Sequence, residues 1–264
     1  MCQLLGMNSH LPASLSVSLS GFSQRGGATA EHADGWGVAF FDTRSDALGK
    51  GVRCFLEDVR SADSPMAAML QSHPIKTHNA VAHVRRATVG PAALANSHPF
   101  TRELWGRYWV FAHNGHLDDF DPLLDGAFKP VGETDSEKAF CLILEGLSRR
   151  LDSDSTRDEL TAAIHELGAS ISRHGVFNFL LSDGQALWAR ASTKLCYVQR
   201  SHPFQQVHMT DTGALADLAS LNGPDDRLCI VVTEPLTSNE PWVHMEAGQM
   251  AVFVDGSLSQ LISP

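Results

Sequence analysis

Apolar residues fall into short, dense runs separated by Gly, Asp and Asn. Runs at residues 3–6, 36–41, 80–85, 108–112, 176–181, 186–191, 195–199, 228–233 and 250–254 are rich in Val, Ile, Phe and Trp, and read as strands. Ser182-Asp183-Gly184-Gln185 joins two of them as a hairpin turn. Elsewhere the period changes. Phe140, Ile143, Leu144, Leu147 and Leu151 line one helical face behind Thr134-x-x-Glu137, the pattern of a capping box. Leu160, Ile164, Leu167 and Ile171 follow a second box, Thr156-x-x-Glu159, with Gly175 past the end as a stop signal. A shorter helix is predicted over 65–72, and 211–226 reads as a polar surface excursion with a short helix. Strands, then two adjacent helices, then more strands do not alternate as a doubly wound sheet does. The order predicts an α+β layered fold with helices on largely antiparallel sheets. No repeat or linker interrupts it, so residues 1–264 are expected to form a single domain.

Composition narrows the class. With 43% hydrophobic and 19% charged residues over 264, the chain can bury a large core and is not disordered by default. Lys and Arg number 20 against 30 Asp and Glu, a formal charge of −10, which argues against binding nucleic acid through its phosphates. No apolar run approaches the roughly 20 residues that span a bilayer. The N-terminus lacks the basic start of a secretory signal. A cytoplasmic protein with no membrane association is expected. The five cysteines are odd in number and lack C-x-x-C spacing, so neither a disulfide framework nor a structural zinc site is expected.

One cysteine stands directly after the initiator. If Met1 is removed, Cys2 carries a thiol and a free α-amine on one residue. Their reference pKa values, about 8.5 and about 7.7–8.0, let the amine take the thiol's proton near neutrality. The other four cysteines read as packing. His83-Val84-Arg85-Arg86-Ala87-Thr88 ends an apolar run. One of its arginines can face solvent while the other holds a substrate carboxylate. His113-Asn114-Gly115-His116 reads as a turn, or as an oxyanion hole made by the Asn114 amide and the Gly115 N–H. Asp135 suits the first turn of its helix, and could pair with a substrate ammonium.

Taken together, Met1-Cys2, Arg25-Gly26, Asp34-Gly35-Trp36-Gly37, His83-x-Arg85-x-Ala87-Thr88, His113-Asn114-Gly115 and Glu133-Thr134-Asp135-x-Glu137 resemble the class II glutamine amidotransferases of the Ntn-hydrolase superfamily. The resemblance is close over residues 1 to about 150. Beyond them, residues 175–183 and 233–236 look like its short, stand-alone members. It implies a four-layer αββα sandwich, with Cys2 as nucleophile and its own α-amine as base. It implies that Arg85, helped by Thr88, holds the α-carboxylate of glutamine, and that Asp135 holds the α-ammonium. Asn114 and Gly115 would form the oxyanion hole. Arg25 and Asp34 would organise the loop around Cys2, with His83 and His113 in support. No cofactor or metal is called for. The partners are a small-molecule substrate, glutamine or a γ-glutamyl amide, and a separate ammonia-accepting synthase.

Where the synthase-linked members usually carry Trp after the arginine, this chain has Arg86, and where they often carry His after the threonine it has Val89. An extra stretch, residues 27–33, contains Glu31 and His32. These departures lie around the expected pocket mouth. They bear on the substrate more than on the chemistry. The leading expectation is hydrolysis of the glutamine side-chain amide through a γ-glutamyl thioester. A γ-glutamyl amide hydrolase resembling that of ergothioneine biosynthesis is the alternative. From other classes stand a non-catalytic amino-acid-binding module, and a metal hydrolase drawing on His113-x-x-His116, Asp118 and Asp119, which lacks a recognised ligand motif.

Overall fold

The computed structural model describes residues 2–43, 49–87 and 90–264. Met1, Thr88 and Val89 therefore lie outside the described residues. The chain runs β1 (Gln3–Ser14), α1 (Ser16–Gln24), β2 (Trp36–Phe41), β3 (Val52–Glu57), α2 (Pro65–Ser72), β4 (Lys76–Val84), β5 (Phe100–Leu104), β6 (Arg107–Leu117), α3 (Asp135–Arg150), α4 (Arg157–Ile171), β7 (Gly175–Ser182) and β8 (Ala186–Arg190). It continues through β9 (Cys196–Ser201), β10 (Gln206–His208), β11 (Leu215–Asp217), β12 (Arg227–Val232), β13 (Val243–His244), β14 (Met250–Val254) and β15 (Ser257–Ile262).

One sheet has the order β13-β9-β12-β1-β4-β2-β3 and the other β15-β14-β8-β7-β6-β5. All of their pairings are antiparallel. Alternation along each strand sends successive side chains to opposite faces. Leu4 of β1 and Ala112 of β6 enter the layer between the sheets, with Val81, Leu180 and Val231. Leu5 and Met7 turn outward and pack under Leu19 and Phe22 of α1 and Leu70 of α2. Phe111 turns outward on the other sheet and packs under Phe140, Ile143 and Leu147 of α3 and Ile164 of α4. Three apolar layers thus separate four layers of structure, αββα, as expected.

Some local expectations change. β1 continues to Ser14 because Asn8, polar yet buried, is paired with Asn79 (2.9 Å) and with the Gly256 N–H (2.8 Å). α1 is hidden by its serines, which favour caps over helix interiors; the burial of Leu15, Leu19 and Phe22 overrides that preference. The capping box expected at α3 is only half present. Thr134 accepts the Glu137 N–H, but the Glu137 carboxylate turns instead to Arg102 and the Gly132 N–H. The box at α4 is complete. His113-Asn114-Gly115 is not a turn: it lies inside β6 and pairs with residues 177–179 of β7. The 211–226 excursion holds β11 and a single 3-10 turn. Cys141, Cys196 and Cys229 are buried, but Cys54 is exposed on β3 and is not core packing. Among the described residues, no helix is long and apolar enough to cross a membrane.

Candidate functional site

The start of β1 sits at one end of the sandwich. By alternation from Leu4, Cys2 belongs to the face that looks between the sheets. The Cys2 thiol lies 3.3 Å from both the carbonyl oxygen and the N–H of Arg86, donating to the first and accepting from the second. Burial pushes the thiol's pKa up, and the Arg86 N–H opposes this. Arg85 and Asp135 also act on the thiol, Arg85 favouring and Asp135 opposing the thiolate. The structure therefore brings these three sequence-separated residues into one electrostatic neighbourhood.

Arg85 follows the last residue of β4 and is buried. Its guanidinium donates to the carbonyls of Pro91 (2.9 Å) and Gly90 (3.1 Å), and its main chain exchanges bonds with Asp34 and Gly35. The Asp34 carboxylate accepts the Ala87 N–H at 2.8 Å, so the segment after β4 is tied to the segment before β2. Gly35 has φ +127, and a side chain there would meet the Glu57 carbonyl at 2.9 Å. Arg86 points to solvent and pairs with Glu31 of the extra stretch at 3.3 Å.

Arg25 lies behind β1. It is buried, and its guanidinium donates to Gln3 Oε1 (3.1 Å), the Glu234 and Pro235 carbonyls (2.8 Å each) and the Asp211 carboxylate. The Arg25 carbonyl meets His32 Nδ1 at 3.2 Å. One side chain thus fixes residue 3 against two loops that are distant in sequence.

On the facing sheet, Asn114 is fully buried and projects into the layer between the sheets, as Ala112 does. Its Nδ2 donates to Thr233 Oγ1 at 3.3 Å, and the same oxygen accepts the Leu4 N–H at 2.9 Å. Asn178 donates to the Asn114 carbonyl at 2.9 Å. A side chain on Gly115 would lie 1.7 Å from the Val176 carbonyl, so only glycine lets β6 and β7 close here. Asp135, the first residue of α3, accepts the Leu117 and Ser136 N–H groups at 2.8 Å each. His116 lies 3.8 Å from it and 3.2 Å from Asp118.

Three buried histidines support this end. Burial lowers the pKa of all three, that of His83 to about 3. His83 and His98 are tilted together with centroids 4.3 Å apart. Being neutral, His83 gives its Nε2–H to the His113 carbonyl at 3.1 Å. His113 gives its own Nε2–H to Val176 O (3.0 Å) and accepts from the Ser136 hydroxyl at Nδ1 (2.8 Å). His113 and His116 therefore face different partners. Among the described residues, no group of three or more His, Cys, Asp or Glu is arranged to hold a metal ion.

Sequence reading did not single out Thr233, Asn178, Ser136 or Asp211. Thr233 left two traces, as the polar last residue of an apolar run and as the first of the residues 233–236 that resemble the short, stand-alone members. Asp211 is 186 residues from Arg25, and nothing local marks it. A cavity of about 720 Å³ opens behind β1, on the Arg25 side, walled by Gln3, Arg25, Glu234, Pro235 and Trp242 among others; Cys2, Arg85, Asn114 and Asp135 do not line it.

The family model for class II glutamine amidotransferases matches residues 1–264. The chain is 43% identical over 259 residues to YafJ of Escherichia coli (strain K12), provisionally named a glutamine amidotransferase, covering 97% of this chain and 98% of that protein. It is 41% identical over 256 residues to a similarly named protein of Haemophilus influenzae, covering 97% and 85%. A solved structure of a predicted glutamine amidotransferase from Pseudomonas aeruginosa PA01 superimposes with TM-score 0.76 at 37% identity, covering 98% of this chain and 100% of that one. The glutamine phosphoribosylpyrophosphate amidotransferase of B. subtilis shares the fold, with TM-score 0.61 at 14% identity, covering 99% of this chain and 49% of that one.

Proposed function

This chain belongs to the class II glutamine amidotransferases, and from that membership we propose that Cys2, freed of Met1, hydrolyses the side-chain amide of glutamine. The thiolate attacks the amide carbon, and the carbonyl electron pair moves onto oxygen. The Cys2 α-amine, having taken the thiol's proton, returns it to the departing nitrogen, so ammonia leaves and a γ-glutamyl thioester remains. Water then cleaves the thioester to glutamate and the free thiol. Asn114 and Gly115 receive the oxyanion. Arg85 and Asp135 read the carboxylate and ammonium of the amino acid, and Thr88 belongs with Arg85. Arg25, Asp34, His83 and His113 hold the surrounding backbone. Residues 1–264 act as one unit, and ammonia passes to a separate synthase.

The observation that carries this reading is the convergence on Cys2. Arg85 and Asp135, of opposite charge, bear on one thiol. Asn114 reaches the same hydroxyl that holds Leu4 of the nucleophile strand. A non-catalytic amino-acid-binding module would need the charges and not the thiol. The test is intact mass, peptide mapping after treatment with 6-diazo-5-oxo-norleucine, and an ammonia assay. The native protein should lack Met1, carry the label on Cys2, and lose activity as Cys2→Ala. Retained Met1 in native protein, or labelling that survives Cys2→Ala, overturns the mechanism.

A further inference from the structure

Thr233 follows the last residue of β12 and is buried. Its main-chain N–H donates to the Leu4 carbonyl at 3.2 Å, and the Leu4 N–H donates back to the side-chain oxygen at 2.9 Å. Leu4 is two residues from Cys2. The second partner of that oxygen is Asn114 Nδ2, at 3.3 Å, on the opposite sheet. A single hydroxyl therefore joins the strand that carries the thiol to the amide proposed for the oxyanion.

Asn114 leaves one loose end. Its Oδ1 is buried with no hydrogen-bond partner, in a side chain with no solvent exposure. An orphaned buried acceptor is costly, and native structures rarely leave one without a reason. In this orientation the amide nitrogen has one hydrogen left for substrate, and beside it an oxygen that repels negative charge. A half-turn of the carboxamide exchanges the two atoms, and this torsion is close to two-fold. A hydroxyl both donates and accepts. After the half-turn, Thr233 still accepts from Leu4 and gives its proton to Asn114 Oδ1. The orphan is then paired, and both amide hydrogens face away from Thr233. Asn178 holds the Asn114 carbonyl at 2.9 Å, so the side chain can turn while the strand stays fixed.

We propose that Thr233 is a positioning residue whose hydroxyl orients the Asn114 carboxamide, nitrogen toward the oxyanion, and sets its separation from the nucleophile strand. The proposal rests on Cys2-dependent amide hydrolysis. Valine keeps the shape of threonine and loses both hydrogen-bonding roles, whereas serine keeps both.

The test is steady-state hydrolysis of glutamine by processed protein. It is paired with binding of glutamate γ-semialdehyde, whose carbonyl adds the Cys2 thiol and becomes a tetrahedral oxyanion, and of glutamate, which forms no such adduct. Thr233→Val is expected to lower kcat by about 10–100-fold, below the loss of a whole oxyanion donor, with KM changed less than about two-fold. It should weaken the semialdehyde by a similar factor and leave glutamate binding unchanged. Thr233→Ser should retain kcat within about three-fold, and this arm decides even if the valine variant does not fold. Unchanged kcat in Thr233→Val, equal weakening of both ligands, or a ten-fold or greater fall in kcat in Thr233→Ser overturns the proposal. Hydrolysis that persists in Cys2→Ala would instead count against the underlying reaction.

Discussion

Arg85 and Arg86 are adjacent in sequence and opposite in environment. Arg85 is buried among the carbonyls of Gly90 and Pro91, while Arg86 reaches Glu31 at the surface. On the proposed reading, only the first can add a buried positive charge to substrate recognition. Arg85→Ala should raise KM for glutamine by about thirty-fold or more, in line with roughly 2–5 kcal/mol for losing one partner of a buried charge pair. Arg86→Ala should change it little, because an exposed pair contributes on the order of 0–1 kcal/mol. Initial-rate kinetics on both variants checks this, and the opposite ranking would move the carboxylate site to Arg86. The adjacency was legible in the sequence. The motif resemblance also pointed to Arg85; the physical reason it turns inward, the carbonyls of Gly90 and Pro91, was not legible.

At the scale of the element, α3 does more than fill the outer layer. Its apolar stripe packs on β6, and its carboxylates hold the preceding segment. Glu145 accepts the Asp125 and Gly126 N–H groups at 3.0 and 3.2 Å, and Glu137 accepts the Gly132 N–H at 2.7 Å while pairing with Arg102. The Glu137 side chain is 2% exposed. Removing one partner of a buried pair leaves the other uncompensated, so Glu137→Ala should cost about 3–5 kcal/mol. A lost capping-box interaction alone would cost nearer 1 kcal/mol. Urea denaturation distinguishes the two, and the smaller value would mean that Arg102 finds water instead. The helix itself was legible from its period. The partner of Glu137 was not, because Arg102 lies 35 residues upstream on a strand.

The whole molecule buries neutral histidines at the end of the sandwich that holds Cys2, and this sets a pH dependence of stability. In the unfolded chain each titrates near 6.5. In the folded chain burial lowers these values, to about 3 for His83 and well below the ordinary value for His98. Between those limits the unfolded state binds more protons, so stability rises with pH and is lost as pH falls from about 6.5. Each such histidine contributes a slope of up to about 1.4 kcal/mol per pH unit. His98 lies between the rings of His83 and Phe100, tilted to both, with neither ring nitrogen paired. His98→Phe should therefore be tolerated at pH 7 and remove about one proton's worth of slope between pH 6 and 4. Denaturant titrations across that range give the slope, and one that matches the parent protein would show that His98 is not buried neutral.

By itself the sequence determined what short-range physics can encode. Periods of two and of 3.6 marked strands and helices, polar residues marked caps, and a thiol after the initiator marked a candidate nucleophile. Motif order supplied the family resemblance. Tertiary structure alone decided the rest. It made a helix of a serine-rich segment by burying Leu19 and Phe22, and drew His113-Asn114-Gly115 out of a turn into β6. It also joined Leu4 to Thr233 and Arg25 to Asp211 across 229 and 186 residues. A hydrogen bond between segments so far apart leaves no periodic trace in either. It exists only because the fold sets β12 beside β1 in one sheet and lays the loop carrying Asp211 against the end of α1, where buried polar atoms must satisfy one another.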